Sequence, residues 1–168
     1  LEMGGAVPGG TALEIGCGRG GGVEIILDLF GAERVDAFDL DYRMIDRARR
    51  RLRGRGGRVR LWTGDATSIP AEDCTYDAAF DFGIIHHVPN WRNAVAEVGR
   101  VLRPGGRFYA EEPFGAFITR RSVQRLLKHP EHDRFDHDEF MQEYLDALNQ
   151  NPERLGDWLA QPETWRQP

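Results

Sequence analysis

Short apolar runs alternate with amphipathic stretches along the first two-thirds of the chain. Thr11-Ala-Leu-Glu-Ile15 reads as a buried strand running straight into glycines. From Gly21 to Phe30, the residues Val23, Ile26, Leu27 and Phe30 recur at helical spacing, and Gly31 stands where a helix stop is expected. Arg34 to Asp39 predicts a second strand. Asp41 is placed to cap a helix from about Tyr42 to Leu52, with Met44, Ile45, Ala48 and Leu52 toward the core, and the glycines from Gly54 to Gly57 break it. Arg58 to Thr63 alternates polar and apolar as a third strand, and Asp77 to Phe82 is a fourth. Asn90 is placed to cap a helix bearing Trp91, Ala94, Val95, Val98, Val101 and Leu102. Pro104-Gly105-Gly106 then forms a tight turn before a fifth strand, Arg107 to Glu111. Strands alternating with helices in this way imply right-handed crossovers and a doubly wound, mainly parallel α/β sheet. Beyond residue 113 the pattern weakens. Arg120 to Leu127 and His137 to Leu148 read as helices, and Leu155 to Leu159 is a weak strand candidate.

A chain of 168 residues fits one domain, and 40% hydrophobic residues suffice for a packed core. No run approaches the roughly 18–20 apolar residues of a membrane span. The first ten residues lack the basic start and apolar stretch of a signal peptide, and the chain begins with Leu1, as a trimmed start would. Cys17 and Cys74 are too few for a disulfide framework or a zinc site, so no metal is expected and a reducing, cytoplasmic setting is the simplest reading. The net charge of −5 argues against a dedicated nucleic-acid binder. The arginines crowding Arg43 to Arg60 do not reverse that expectation, because basic residues are almost all arginine throughout and Lys128 is the only lysine.

In an open parallel sheet, ligands bind beyond the carboxyl ends of the strands. Four segments at such ends carry candidate chemistry. Leu13 to Gly22 has five glycines between Gly16 and Gly22. They allow positive φ and leave a ligand direct access to the backbone and to a helix N-terminus. Gly16, Gly18 and Gly21 satisfy GxGxxG, a pattern that a tight turn without a ligand also explains. Asp39 follows Gly16 by 23 positions, where a carboxylate accepts both hydroxyl protons of a ribose. Asp41 serves equally as a helix cap or a ligand contact. Gly64-Asp65-Ala66 puts a short carboxylate where it faces an exocyclic amine or closes its own turn. The fourth segment is Asp81 to Val88. Asp81 lies at a reacting centre, and Phe82 offers a ring face to a cation or a base. His86 and His87, being adjacent, point apart. One is a candidate base; satisfaction by the next helix is the other reading.

These residues resemble the class I S-adenosylmethionine-dependent methyltransferases, and look most like their small-molecule branch of methyltransferase-11 type. The resemblance rests on LEIGCGRGGG at 13–22, DAFDLD at 36–41, GDATSIP at 64–70, YDAAFDFGIIHHV at 76–88 and RVLRPGGRFYAEEP at 100–113, in the family's order and spacing. It implies a single Rossmann-like domain over 1–168 with five to seven strands and helices on both faces. Residues 114–168 would form a variable helical C-terminal part. It implies S-adenosylmethionine as cofactor and S-adenosylhomocysteine as product. Glu14 would orient the methionine ammonium, and Gly16, Cys17, Gly18 and Gly20 would line the methionine and ribose. Asp39 would hold the ribose hydroxyls, with Leu40 and Met44 flanking adenine and Asp65 and Ala66 at its edge. Asp81 and Phe82 would border the sulfonium. Family members also carry a helix before the first strand and two further edge strands, whereas only about ten residues precede Thr11.

A nicotinamide-dependent dehydrogenase would share GxGxxG and Asp39, but it also needs a second nucleotide-binding half, for which 168 residues leave no room. Carboxylates at positions 14, 39, 65 and 81 suit a cation and would repel a pyrophosphate. The expected reaction is in-line methyl transfer to an O, N, S or C nucleophile of a small molecule, with His86 preferred to His87 where a base is needed. The alternatives are a cofactor-binding module without catalysis and an RNA methyltransferase using the arginine face. Phe114 to Thr119, with Arg120 and Arg121, is the expected acceptor wall. No membrane partner is expected, and an open sheet edge leaves room for a homo-oligomer.

Overall fold

The fold is described from a computed structural model, which covers residues 5–111. The segments at 120–127, 137–148 and 155–159 and the expected acceptor wall at 114–121 lie outside the described residues.

Five parallel strands form one sheet in the order β3-β2-β1-β4-β5. They are β1 (Thr11–Ile15), β2 (Arg34–Asp39), β3 (Val59–Thr63), β4 (Tyr76–Asp81) and β5 (Leu102–Ala110). Helices α1 (Gly21–Asp28) and α2 (Tyr42–Arg51) connect β1 to β2 and β2 to β3, and α3 (Trp91–Val101) connects β4 to β5. This is the doubly wound, Rossmann-like arrangement that the alternation implied. Val23, Ile26 and Leu27 of α1 and Ile45 and Ala48 of α2 pack with Ala12, Val35, Ala37 and Phe80 on one face. Trp91, Ala94, Val95 and Val98 of α3 pack with Leu13, Ile15, Phe38, Ala79 and Phe108 on the other. Both faces of the central strands are covered, which is why they read as continuous apolar runs rather than alternating ones.

The order reverses at β1, which pairs with β2 on one side and β4 on the other. The crevice beyond the carboxyl ends of β1 and β4 is therefore the expected ligand position.

Four local expectations need correcting. Met44 is half-buried. The buried stripe of α2 continues through Ile45, Ala48 and Leu52, and Met44 lies one position off it. Asn90 occupies the cap position of α3 but makes no capping hydrogen bond with its side chain. Asp41 does cap α2, accepting from the Arg43 N–H at 2.8 Å. Strand β5 begins at Leu102, earlier than the turn residues suggested. Tyr76 pairs with Leu102 and Ala78 with Arg107, so Pro104-Gly105-Gly106 bulges out within the strand. Helix α1 ends at Asp28, two residues short of Phe30.

The arginine run is largely internal scaffolding. Arg51 and Arg55 pair with Glu24 and Asp28 of α1, and Arg43 pairs with Asp41. Arg58 donates to the carbonyls of Glu33 and Ala32.

Candidate functional site

Gly16 leaves β1 with φ +65°, and an added Cβ would lie 2.5 Å from Ile84 Cγ1. The first turn is thus free to press against the loop after β4. Gly18 has φ +52° and nothing within 4 Å of a Cβ, so its backbone faces open space. Its N–H donates to Asp39 Oδ2 at 2.8 Å, and the Asp41 N–H donates to Oδ1 at 2.9 Å. Two backbone amides therefore fix the Asp39 carboxylate, and each oxygen keeps a lone pair for a further donor.

Beneath this turn lies a buried acid. Glu14 is 2% exposed, and its Oε2 has no hydrogen-bond partner. Burial, then the neighbouring charges of Asp39 and Asp81, push its pKa up to about 8. A Cβ at Gly22 would lie 2.1 Å from Glu14 Oε1 and 2.6 Å from the Phe82 ring. The missing side chain of Gly22 is thus the room in which Glu14 and Phe82 meet. Asp81 is fully buried and accepts from the Ile84 N–H at 2.9 Å. Cys17 packs in the core, and burial together with Glu14 and Asp39 pushes its thiol up to about 12, so it stays protonated and unreactive.

A cavity of about 440 Å³ opens beside Asp39 and runs to the loop after β4. Of the residues singled out from sequence, Gly16, Asp39, Leu40, Asp65 and Ala66 line it. Asp65 Oδ1 accepts from the Thr67 N–H at 2.8 Å and from the Thr67 hydroxyl at 2.9 Å. Leu40 is 75% exposed and lines the cavity beside Asp39. Glu14, Asp81 and Phe82 gather at the neighbouring end of β1 and β4. Gly20 does not face this region: a Cβ there would meet Leu52 and Ala48 of α2. Met44 and Cys17 are likewise not among the cavity-lining residues.

His86 and His87 occupy a short 3-10 turn, Ile85–His87, with ring centroids 4.0 Å apart. His86 is buried, and desolvation, opposed by Asp81, lowers its pKa. His87 is exposed and lines the cavity. The sequence reading passed over Ile84, Val88, Pro89 and Asn90 as lining residues. The signal available for them was their place after the carboxyl end of β4.

A fit to the group implied by the resemblance can be tested on these contacts. A sulfonium nucleoside with an ammonium tail needs a clamp for two hydroxyls, open backbone for close approach, and buried negative charge. Asp39, Gly18 and the partnerless oxygen of Glu14 meet those needs. Among the described residues no cluster of side chains suits a metal ion.

The chain is similar in sequence and fold to known proteins. A fatty-acid O-methyltransferase of Mycolicibacterium smegmatis is 36% identical over 61% of this chain and 36% of its own length. The 24-methylenesterol C-methyltransferase 2 of Oryza sativa subsp. japonica is 33% identical over 64% of this chain and 30% of its own. The chain thus spans about a third of these relatives' lengths. The crystal structure of an S-adenosylmethionine dependent methyltransferase from Mesorhizobium loti superposes with a TM-score of 0.57. It is 26% identical, covering 64% of this chain and 48% of that one. The family described as "Methyltransferase domain" matches residues 12–106, more than half of the sequence and all five strands up to the β5 bulge, and the chain belongs to that family.

Proposed function

We propose that this domain binds S-adenosylmethionine across the carboxyl ends of β1 to β4 and directs its methyl group to a nucleophilic O, N, S or C atom of a small, largely apolar acceptor, releasing S-adenosylhomocysteine. One observation carries the reading: a buried, partnerless carboxyl oxygen on Glu14 beside a carboxylate, Asp39, that two backbone amides hold in place. The cofactor when bound supplies a methyl group already activated by its sulfonium charge.

The chain's own residues supply grip, alignment and exclusion of water. Asp39 holds the ribose hydroxyls. Leu40 and Ala66 cover the base, and Asp65 faces its edge. Glu14 and Asp81 attract the cationic tail, Phe82 lays its ring beside them, and Gly16, Gly18 and Gly20 shape the turn. For an acceptor that must lose a proton, His87 is the better-placed base, because it is exposed and lines the cavity, whereas His86, preferred from sequence, is buried and does not line it.

Ile84, Val88 and Pro89 give the cavity an apolar wall beside His87. An apolar acceptor agrees with this wall and with the fatty-acid and sterol names of the two relatives. Those relatives methylate oxygen in one case and carbon in the other by name, so the acceptor atom follows from the acceptor, not from the cofactor site. Among the described residues no helix is long and apolar enough to cross a membrane. Cys17 and Cys74 are both free thiols, which supports a reducing, cytoplasmic setting.

Calorimetry with S-adenosylmethionine and S-adenosylhomocysteine tests the binding half; micromolar binding is expected for both, and absence of binding refutes the proposal. Transfer of labelled methyl to a panel of fatty acids and sterols tests the chemical half. Binding without transfer to any acceptor would reduce the domain to a cofactor-holding module.

A further inference from the structure

The segment from Gly64 to Thr75 joins β3 to β4 without a helix of its own. It carries Asp65, Ala66 and Thr67, which line the cavity. Its shape is imposed from α3. The Arg100 guanidinium donates to Ile69 O at 2.9 Å, Ala71 O at 2.8 Å and Asp73 Oδ1 at 2.9 Å. It also bonds both carboxyl oxygens of Glu97, at 2.7 and 2.8 Å. Glu97 Oε2 in turn accepts from the Ile69 N–H at 2.9 Å. Ile69 is thus gripped at both its N–H and its carbonyl, and its side chain is 3% exposed in the core. One residue upstream ends a closed turn in which Ser68 N–H donates to Asp65 O at 3.1 Å, while Thr67 ties down Asp65 Oδ1. A planar, forked guanidinium suits this task because it presents several fixed donors at once; an ammonium does not.

We propose that Glu97 and Arg100, though outside the cavity, are positioning residues for base recognition: they clamp Ile69 to Asp73 and thereby hold the Asp65 carboxylate against the exocyclic amine of the adenine. The inference rests on the proposed cofactor reading. Glu97 and Arg100 lie on the outer side of the loop and Asp65 on the inner side, so the effect is transmitted through the Asp65–Ser68 turn. Loosening the clamp frees the turn and blurs the choice between an amine and an oxygen at the base edge. It leaves the ribose grip of Asp39, held by Gly18 and Asp41, untouched.

The test is calorimetry on the whole chain with S-adenosylhomocysteine and with its inosine counterpart, which carries an oxygen in place of the exocyclic amine. The wild type is expected to prefer the adenine ligand by about tenfold, the worth of one hydrogen bond to a charged group. Glu97→Ala and Arg100→Lys are each expected to weaken the adenine ligand about five- to tenfold while changing the inosine ligand less than about twofold. Equal weakening of both ligands, or an unchanged preference, overturns the proposal, since a general loss of stability does not distinguish the two bases. Should one variant fail to fold, the other decides, because each cuts a different side of the clamp. If the wild type binds neither ligand, the cofactor reading itself fails; if it binds both and the variants keep the preference, only the clamp does.

Discussion

Glu14 makes the cofactor site sensitive to pH in a way that can be measured. Without a ligand, its carboxyl is buried, lacks a partner for Oε2 and sits near Asp39 and Asp81, which together raise its pKa from the ordinary 4.5 to about 8. With that value about a tenth of the groups are ionised at pH 7 and about a hundredth at pH 6. A cationic tail binds the ionised form, so binding should expel a proton, close to one per ligand at pH 7. Affinity for S-adenosylhomocysteine should then rise about tenfold from pH 6 to pH 7 and flatten near pH 8. At still higher pH the ligand's own α-amino group loses its charge and affinity falls again. Calorimetry in two buffers of different ionisation enthalpy reads the proton directly. Glu14→Gln should abolish the proton release and flatten the acidic limb. The same group predicts the stability of the free protein. A carboxyl whose folded pKa is raised adds stability that is fully present below about 4.5 and lost as pH rises through about 8, so Glu14→Gln should raise Tm at pH 8 while weakening the ligand. Flat affinity from pH 6 to 8 with no proton released would refute this account of Glu14.

Four further outcomes follow from individual contacts. Asp39→Ala should weaken S-adenosylhomocysteine by about a hundredfold or more in calorimetry, since it removes two hydroxyl acceptors and frees the Gly18 and Asp41 amides. Gly22→Ala should lower Tm and cofactor affinity together, at a cost of about 1–3 kcal/mol, because its Cβ would lie 2.1 Å from Glu14 Oε1. Leu40→Ala should leave Tm within about a degree or two, as Leu40 is 75% exposed, yet weaken the ligand several-fold by uncovering one face of the base. His87→Gln should lower kcat for an acceptor that must lose a proton, while His86→Gln, at a buried position, should act mainly on Tm; an unchanged kcat in the first variant would withdraw the assignment of His87.

The strand ends that carry the candidate cofactor residues are readable from sequence because they are local facts. An apolar run such as Leu13 to Ile15 followed by glycines fixes where β1 stops, and Asp39 and Asp65 end β2 and begin the turn after β3 in the same way. Once the strands are parallel, those ends converge without further information. The parts that escaped depend on contacts between segments far apart in the chain. Gly22 looks like one more glycine of the turn until Glu14 and Phe82 are seen to need its space. Glu97 and Arg100 carry no signal in the sequence beyond an i, i+3 spacing, yet they hold a loop about thirty residues away. Gly20, which the family resemblance sets beside the methionine and ribose, has the space of its missing side chain facing Leu52 and Ala48, a contact that only the packing of α2 reveals. Met44 was assigned to the core by spacing alone and sits one position off the buried stripe.

The two halves of the site answer to different constraints. The grip proposed for the nucleoside uses backbone amides, a glycine turn and carboxylates anchored at strand ends, groups that cannot drift far without breaking the sheet. The wall facing the acceptor starts on the loop after β4, where Ile84, Val88, Pro89 and Asn90 are set by turns rather than by ladder hydrogen bonds. The relatives named for a fatty acid and for a sterol are 36% and 33% identical over 61% and 64% of this chain. Exchanging residues 88–90 for the matching residues of the fatty-acid enzyme should change which acceptor is methylated while leaving the affinity for S-adenosylhomocysteine within about twofold. A swap that destroys cofactor affinity would show that the two halves are mechanically one.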